Sequence, residues 1–155
     1  MNTFCVLPWF GREISWNGFD THCCLLPANY NIDNIKSAML QGEKPVECQK
    51  CWHLESNGQK SDRIVKNSTL DWVLDRDLEL IKKDAIQGAP EILMLKLVTS
   101  YTCNATCVSC GSYSSSSWNQ LNKKIFGIVT EKKYKFVDIE KVKQQVNFKN
   151  LKMLI

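Results

Sequence analysis

The sequence has no long apolar run, no large excess of either charge and no internal repeat. No segment approaches the ~20 uncharged apolar residues that a membrane-spanning helix needs, so we expect no membrane partner. The apolar N-terminus is interrupted by Arg12 and Glu13 with no basic segment before it, so we expect no signal peptide and a cytoplasmic location. The net charge of +4 is typical of ordinary solvated faces, and we therefore expect no nucleic-acid partner.

The composition predicts a folded chain in which cysteine is the informative residue. Hydrophobic residues make up 44% and charged residues 23% of the 155 residues, which leaves enough apolar material for a core. The chain has eight cysteines. In the reducing cytoplasm, clustered cysteines more often bind metal than form disulfides. The cysteine spacing is therefore the main guide to function.

The first part of the chain carries five of the cysteines and a strong hairpin signal. The segments 12–16 and 19–24 flank Asn17-Gly18, a pair typical of a tight hairpin turn because both turn positions adopt positive φ. A short helix is predicted over 32–41. The next two cysteines are predicted to lie in a loop after that helix.

A long helix is predicted between the two cysteine-bearing parts of the chain. Ser68 or Thr69 is its expected N-cap, and Gly88 with Pro90 is its expected end. Apolar residues recur at helical spacing between these points: Leu70, Val73, Leu74, Leu78, Ile81 and Ile86. The sequence leaves open whether this helix links two modules or packs on the first one.

The second part of the chain begins as an alternation of strand and helix. An apolar run over 92–98, interrupted at Lys96, predicts a buried strand of the parallel-sheet type. The loop 100–117 that follows it carries the last three cysteines and a serine tract. Helices are predicted over 118–129 and 138–146, which is the opening of a βα fold.

The chain ends on apolar residues that predict a second strand over 148–155. Two parallel strands cannot bury a sheet, so we expect these residues to be the N-terminal piece of a longer protein. A small self-contained sheet closed by Ile155 is the alternative.

Three cysteines form a compact motif in the loop after the first predicted parallel strand. Cys103, Cys107 and Cys110 have the spacing C-x3-C-x2-C. A structural zinc ion takes four protein ligands, whereas a four-iron cluster held by three thiolates keeps one iron open for another ligand. The loop also lies at the carboxyl end of a strand, where α/β folds place their chemistry.

This motif resembles the cluster loop of the radical S-adenosylmethionine (SAM) enzymes, which follows the first strand of a partial (β/α)6 barrel. The resemblance implies a SAM-binding 4Fe-4S cluster on Cys103, Cys107 and Cys110 and an external electron donor such as a flavodoxin or ferredoxin. It implies reductive cleavage of SAM to a 5′-deoxyadenosyl radical, which abstracts hydrogen from an unknown substrate, a peptide or a small molecule. Ser109 departs from the bulky residue usual at its position. Ser112 is an expected SAM contact, although the serine tract could equally be a linker.

Four other cysteines form a second pattern. Twelve residues separate Cys5 from Gly18, four more separate Gly18 from Cys23, and Cys48 and Cys51 make a C-x2-C pair. The hairpin turn would bring Cys23 back towards Cys5, so we expect the four thiolates to form a closed site. Spacing alone leaves a structural zinc ion and an iron–sulfur cluster open. Cys24 could replace Cys23 as a ligand.

The second pattern resembles the auxiliary-cluster region of twitch and SPASM domains in radical SAM proteins. Other residues carry the same likeness: Cys5-Val6-Leu7-Pro8-Trp9, Glu55, Gly58, Ser61, Arg63 and Gly111 to Trp118. The resemblance implies an auxiliary 4Fe-4S cluster on the closed cysteine set. Arg63 is expected to pair with a carboxylate of this module, and the two histidines, His22 and His53, are expected to be surface or hydrogen-bonded residues.

The implied fold class is α/β. An α+β cysteine-rich module is expected over 1–66, a linking helix over 67–90, and the incomplete first βα unit of a radical SAM barrel over 91–155. We expect the full-length protein to be an enzyme and the 155 residues alone to be inactive. The alternative is a non-catalytic cysteine-rich module in which zinc or one cluster supports a surface for a protein or nucleic acid.

Overall fold

The computed structural model describes residues 3–16, 18–88, 91–100, 103–112, 115–128 and 136–155. Within these ranges the chain is mixed α/β, with one four-stranded sheet and seven α-helices. The strands are β1 (Gly11–Ser15), β2 (Asp20–Thr21), β3 (Met94–Val98) and β4 (Met153–Leu154). The helices are α1 (Leu7–Phe10), α2 (Ile32–Leu40), α3 (Gln49–Ser56), α4 (Asp62–Leu74), α5 (Leu78–Gln87), α6 (Ser116–Phe126) and α7 (Ile139–Gln145), with a short 3-10 helix over Val46–Cys48.

The sheet has the order β2-β1-β3-β4. The predicted hairpin is confirmed: β1 and β2 are antiparallel, and Gly18 in the turn has a φ of +84° that suits glycine. Asn17, the other predicted turn residue, lies outside the described residues. The predicted strand over 92–98 is confirmed as β3, which pairs in parallel with β1 on one side and with β4 on the other. A strand from the first part of the chain is therefore the direct neighbour of the strand that precedes the cysteine loop.

The predicted long helix is two helices. Ser61 caps α4, seven residues before the expected start, and the chain turns at Asp75, whose φ of +49° is left-handed. Asp77 then caps α5, because its side chain accepts a hydrogen bond from the amide of Glu79 at 2.8 Å. The expected end at Gly88 is confirmed as the C-cap of α5, while Pro90 lies outside the described residues.

The shorter elements follow the sequence with one exception. The helices predicted over 32–41, 118–129 and 138–146 correspond to α2, α6 and α7, and the final strand is shortened to β4. Residue 129 lies outside the described residues. The loop predicted around Cys48 and Cys51 is wrong, because the 3-10 helix and α3 occupy this segment.

Two apolar cores lie on opposite faces of the sheet. The larger contains Phe4, Leu70 and Met94, and joins α1 to the helices of the first part of the chain. The smaller contains Ile14, Leu95 and residues of α7. Successive side chains of a strand point to opposite faces of the sheet, so Met94 lies in the larger core and Leu95 in the smaller one. Among the helices described, none combines the length and apolar character needed to cross a membrane.

Candidate metal centre

The four cysteines of the expected closed site line one apolar cavity. Cys5 precedes α1, Cys23 follows β2, Cys48 ends the 3-10 helix, and Cys51 lies in the first turns of α3. Most of its exposed wall is apolar, with Leu7, Leu25, Leu26 and Met39, and the charged residues Glu47, Lys50, Asp62 and Arg63 also line it. Cys5 and Cys51 are buried, and the other two are partly buried. Segments up to 46 residues apart in sequence are thus brought to one place.

Burial sets the protonation of three of these thiols. It raises the pKa of Cys5, a hydrogen bond involving the Leu7 backbone opposes this, and the nearby charges of Cys23, Cys48 and Cys51 raise the pKa further. Burial also raises the pKa of Cys23 to about 12 and that of Cys48 to about 11. A bound metal must therefore displace protons from these thiols, and its charge would offset the mutual repulsion of the thiolates.

Arg63 holds the segment that carries Cys5. Its guanidinium forms two hydrogen bonds to the Glu55 carboxylate, at 2.9 and 2.6 Å, and a third to the carbonyl oxygen of Phe4 at 2.9 Å. Asn67 also donates to the Phe4 carbonyl and accepts from the Val6 amide, each at 2.9 Å. The peptide groups on both sides of Cys5 are therefore fixed by α4. The expected pairing of Arg63 with a carboxylate is confirmed.

Trp52 fixes the corner between Cys48 and Cys51. Its indole N–H donates to the carbonyl oxygen of Pro45 at 3.0 Å, and the guanidinium carbon of Arg63 lies 4.8 Å from its ring centroid. Burial raises the pKa of Cys48 most, and the positive charge of Arg63 opposes that rise. One arginine thus supports the cysteine cavity mechanically and electrostatically.

The spacing of the sulfur atoms separates two kinds of metal site. In the described part of the chain, one group of three potential ligands has all of its donor atoms within 4.8 Å of one another. It consists of Cys23, Cys24 and Asp62. No three of the closed cysteine set meet that limit. Sulfur ligands of a tetrahedral zinc ion, bound at ~2.3 Å, lie only about 3.8 Å apart. A four-iron cluster holds its thiolates farther apart because each binds a different iron atom. Any three thiols of the closed set therefore include at least one pair farther apart than the sulfur ligands of a zinc ion.

The structure places the adjacent cysteines at different cavities. Cys23 lines the four-cysteine cavity, and its sulfur accepts a hydrogen bond from the Leu25 amide at 3.5 Å. Cys24 is exposed and lines a second cavity of about 190 Å³, which Cys23 also borders. Its pKa is raised by burial and by the negative charge of Glu13, whose carboxylate its thiol contacts. The sequence choice of Cys23 for the closed set agrees with this placement.

Lys96, which the sequence marked only as an interruption of the strand, forms an ion pair. It lies opposite Glu13 in the parallel ladder, and the two side chains form an ion pair of 3.0 Å. Both line the second cavity beside Cys24. A lysine in an otherwise apolar strand was the signal in the sequence that could have indicated this ion pair. The sequence could not identify the partner of Lys96, because Glu13 lies 83 residues away.

The C-x3-C-x2-C loop lies in a more exposed setting. Cys103 and Cys107 are exposed and Cys110 is partly buried, and these three do not form a compact ligand group in the structure. The amide of Ala105 donates to the Cys103 sulfur at 3.5 Å. The amide of Cys110 donates to the carbonyl of Cys107 at 3.0 Å, which turns the chain between these two cysteines.

The serine tract holds the backbone of this loop. The hydroxyls of Ser116 and Ser117 donate to the carbonyl of Cys103 at 2.9 and 3.1 Å. Ser115, almost fully buried, caps α6 and donates to the carbonyl of Ala105 at 2.6 Å. These described serines support the loop rather than forming a linker. Ser112 is partly buried at the end of the loop, and its expected contact with SAM stays a prediction.

The two histidines lie outside the four-cysteine cavity, as expected. His22 is lodged against the Tyr30 hydroxyl at 2.9 Å. Burial, followed by the charges of Arg12 and Lys36, lowers its pKa to about 4. His53 is exposed on α3.

Comparison of the chain with protein-family models, with curated proteins and with solved structures gave no match. The functional conclusion therefore rests on the cysteine geometry and on the sequence motifs.

Proposed function

We propose that this chain carries the auxiliary-cluster module and the first βα unit of a radical SAM enzyme. The observation that carries the proposal is the convergence of Cys5, Cys23, Cys48 and Cys51 on one apolar cavity. These are four of the seven cysteines in the two motifs, and the other three stand directly after a strand of a parallel pair.

The closed and the open cysteine sets fit two different kinds of cluster site. One kind has four protein thiolates, and the other has three thiolates and one iron open to another ligand. The closed set offers four thiols in a cavity with mostly apolar walls, with an amide donating to the Cys23 sulfur and a cation, Arg63, at its edge. The open set offers three thiols, two of them exposed, so a ligand from solution can reach it. Hydrogen bonds to sulfur and solvent exposure are the features by which a protein tunes such clusters. We therefore assign 4Fe-4S clusters to both sets.

When bound at the open set, the cluster would supply the electron for reductive cleavage of SAM. The chain's own residues position that set. Ser115, Ser116 and Ser117 hold the loop backbone, and the amide of Trp16 donates to the carbonyl of Val98 at 2.8 Å. The hydrogen bond between Trp16 and Val98 ties the hairpin to the end of β3, just before the cysteine loop begins. The auxiliary set would relay electrons or anchor the substrate.

The proposal also covers the cellular compartment, the electron donor, the class of substrate and the fold of the larger domain. All eight cysteines lie in described residues and all are free thiols, which suits a reducing compartment such as the cytoplasm. An external flavodoxin or ferredoxin would supply electrons, and the substrate is a peptide or a small molecule. β3 and β4 would be the first two strands of a (β/α)6 barrel, and β1 of the cysteine-rich module would pair with the other edge of β3.

Metal and sulfide content after anaerobic reconstitution tests the proposal. We expect about eight iron atoms with matching sulfide per chain, and about four in each of the variants Cys5→Ser and Cys103→Ser. Addition of SAM should alter the electron paramagnetic resonance spectrum of reduced Cys5→Ser, which keeps the open set. The same addition should leave Cys103→Ser unchanged.

Two outcomes would contradict the proposal. One or two zinc ions per chain without sulfide would indicate the alternative, a non-catalytic cysteine-rich module. A spectrum of Cys5→Ser that does not respond to SAM would remove the basis for assigning a SAM-binding cluster to Cys103, Cys107 and Cys110.

A further inference from the structure

A second ligand group lies in the wall between the two cavities. The sulfurs of Cys23 and Cys24 and a carboxylate oxygen of Asp62 all lie within 4.8 Å of one another. We propose that these three residues bind a single thiophilic divalent cation, with Zn²⁺ as the natural candidate. The site uses two ligands of the first cysteine module and one from the first turn of α4.

The donor spacing is close to that of a mononuclear site. Bonds of ~2.3 Å to sulfur and ~2.0–2.2 Å to carboxylate oxygen place tetrahedral donors about 3.4–3.8 Å apart. Side-chain movements of about 1 Å therefore complete the geometry from the observed limit of 4.8 Å. No comparable group exists among the other described cysteines, aspartates, glutamates and histidines.

The backbone that carries the three ligands is fixed. The Thr21 hydroxyl, fully buried, donates to the carbonyl of Cys23 at 3.1 Å. Asp62 lies between the N-cap Ser61, which is buried, and Arg63, which is tied to Glu55 and Phe4. Preformed ligand positions reduce the conformational entropy that binding must overcome.

Three protein ligands leave one coordination position open. All three residues line the cavity of about 190 Å³, together with Lys66, Lys96 and His22. The cavity is large enough for water, and a water molecule can complete a tetrahedral set. The ligand set of two thiolates and one carboxylate suits zinc, which accepts both donor types.

Cys23 belongs to both sites, and this part of the inference rests on the proposed function. A cation held by Cys23, Cys24 and Asp62 withdraws one thiolate from the closed set. Zinc at this site and a four-iron cluster at Cys5, Cys23, Cys48 and Cys51 therefore exclude each other.

Titration of the iron-free, reduced full chain with Co²⁺ tests the site without reference to any activity. We expect thiolate-to-cobalt absorption at one Co²⁺ per chain, displaced by Zn²⁺. Cys24→Ser and Asp62→Asn should each weaken binding at least about tenfold. The matched control Cys48→Ser removes a thiol of the closed set and should leave the affinity unchanged.

Three outcomes would overturn the site: no thiolate-to-cobalt band in the wild-type chain, equal affinity in Cys24→Ser, or a greater loss in Cys48→Ser than in Cys24→Ser. Cys24 is exposed, so its replacement by serine should leave the core intact, and circular dichroism checks this.

A second experiment tests the exclusion separately. In a Cys103→Ser background, one equivalent of Zn²⁺ added before reconstitution should prevent incorporation of about four irons. The additional change Cys24→Ser should restore that incorporation. Equal iron incorporation with and without zinc would refute the exclusion. Absence of any cluster in the zinc-free chain would count against the proposed function and leave the cobalt result standing.

Discussion

Replacing Arg63 with methionine should destabilise the fold far more than the loss of one surface charge. Its side chain is 9% exposed and that of Glu55 is 14% exposed, and they share two hydrogen bonds of 2.9 and 2.6 Å. Removal of one partner from a buried ion pair costs about 3–5 kcal/mol because the other charge is left uncompensated. Ser61 still donates to Glu55, and Asn67 still donates to the Phe4 carbonyl. We therefore expect Arg63→Met to lower the free energy of unfolding by an amount at the lower end of this range, about 3 kcal/mol.

The chain provides a matched control for this prediction. Arg76 and Asp84 form an ion pair of 2.7 Å with the same separation of eight residues, but their side chains are 55% and 56% exposed. Arg76→Met should cost less than about 1 kcal/mol. Urea unfolding followed by far-ultraviolet circular dichroism measures both free energies. Values for the two variants within about 0.5 kcal/mol of each other would refute the reasoning from burial.

The pH dependence of the same pair has a definite sign. Burial raises the pKa of Glu55, but hydrogen bonds from Arg63 and Ser61 and the Arg63 charge outweigh it, so the pKa lies below its ordinary value of 4.5. A lowered folded-state pKa adds stability above pH 4.5, and that stability is lost as the pH falls through the folded-state value. Arg63→Met should reduce this acid-dependent loss relative to the wild-type chain.

Three further substitutions test other parts of the structure. The lowered pKa of His22, about 4 against an ordinary 6.5, means that the unfolded chain takes up the proton first as the pH falls from 6.5 to 4. His22→Gln should therefore flatten the loss of stability over that range in urea unfolding, and an unchanged pH dependence would contradict this reasoning. Ser115→Ala removes a helix cap and a bond to the cysteine loop, so amide exchange in the loop should rise about tenfold, and an unchanged rate would contradict its supporting role. Gly11→Ala places a Cβ 2.7 Å from a side-chain atom of Leu7 and 3.0 Å from the Leu7 backbone oxygen, which is less free to move, and should cost about 1–3 kcal/mol in the same unfolding assay.

The sequence predicted elements with strong local signals and missed those set by distant contacts. The hairpin followed from its turn residues, and β3 followed from its apolar run. The parallel pairing of β1 with β3 did not, because hydrophobic periodicity does not specify which strands become neighbours. The break at Asp75 was missed because apolar spacing continues across it, although Asp77 before Leu78 offered a capping signal.

The cysteine patterns predicted the grouping of the closed site better than its surroundings. The hairpin turn and the C-x2-C pair predicted that Cys5, Cys23, Cys48 and Cys51 lie together, and the four line one cavity, with Cys48 and Cys51 on helices in place of the expected loop. The group of Cys23, Cys24 and Asp62 was not anticipated. Asp62 lies 38 residues after Cys24 and reaches it only through the packing of α4.

The parallel pairing of β1 and β3 also determines the order of events during synthesis. β1 is complete by Ser15, but its partner begins only at Met94, so the ladder must wait for the ribosome to make the intervening residues. At ~5–20 residues per second, the separation of 83 residues between Glu13 and Lys96 corresponds to a delay of roughly 4–17 s. During that interval one edge of the nascent hairpin lacks its native partner. The sheet is therefore completed only after the cysteine-bearing helices between its two central strands have been synthesised.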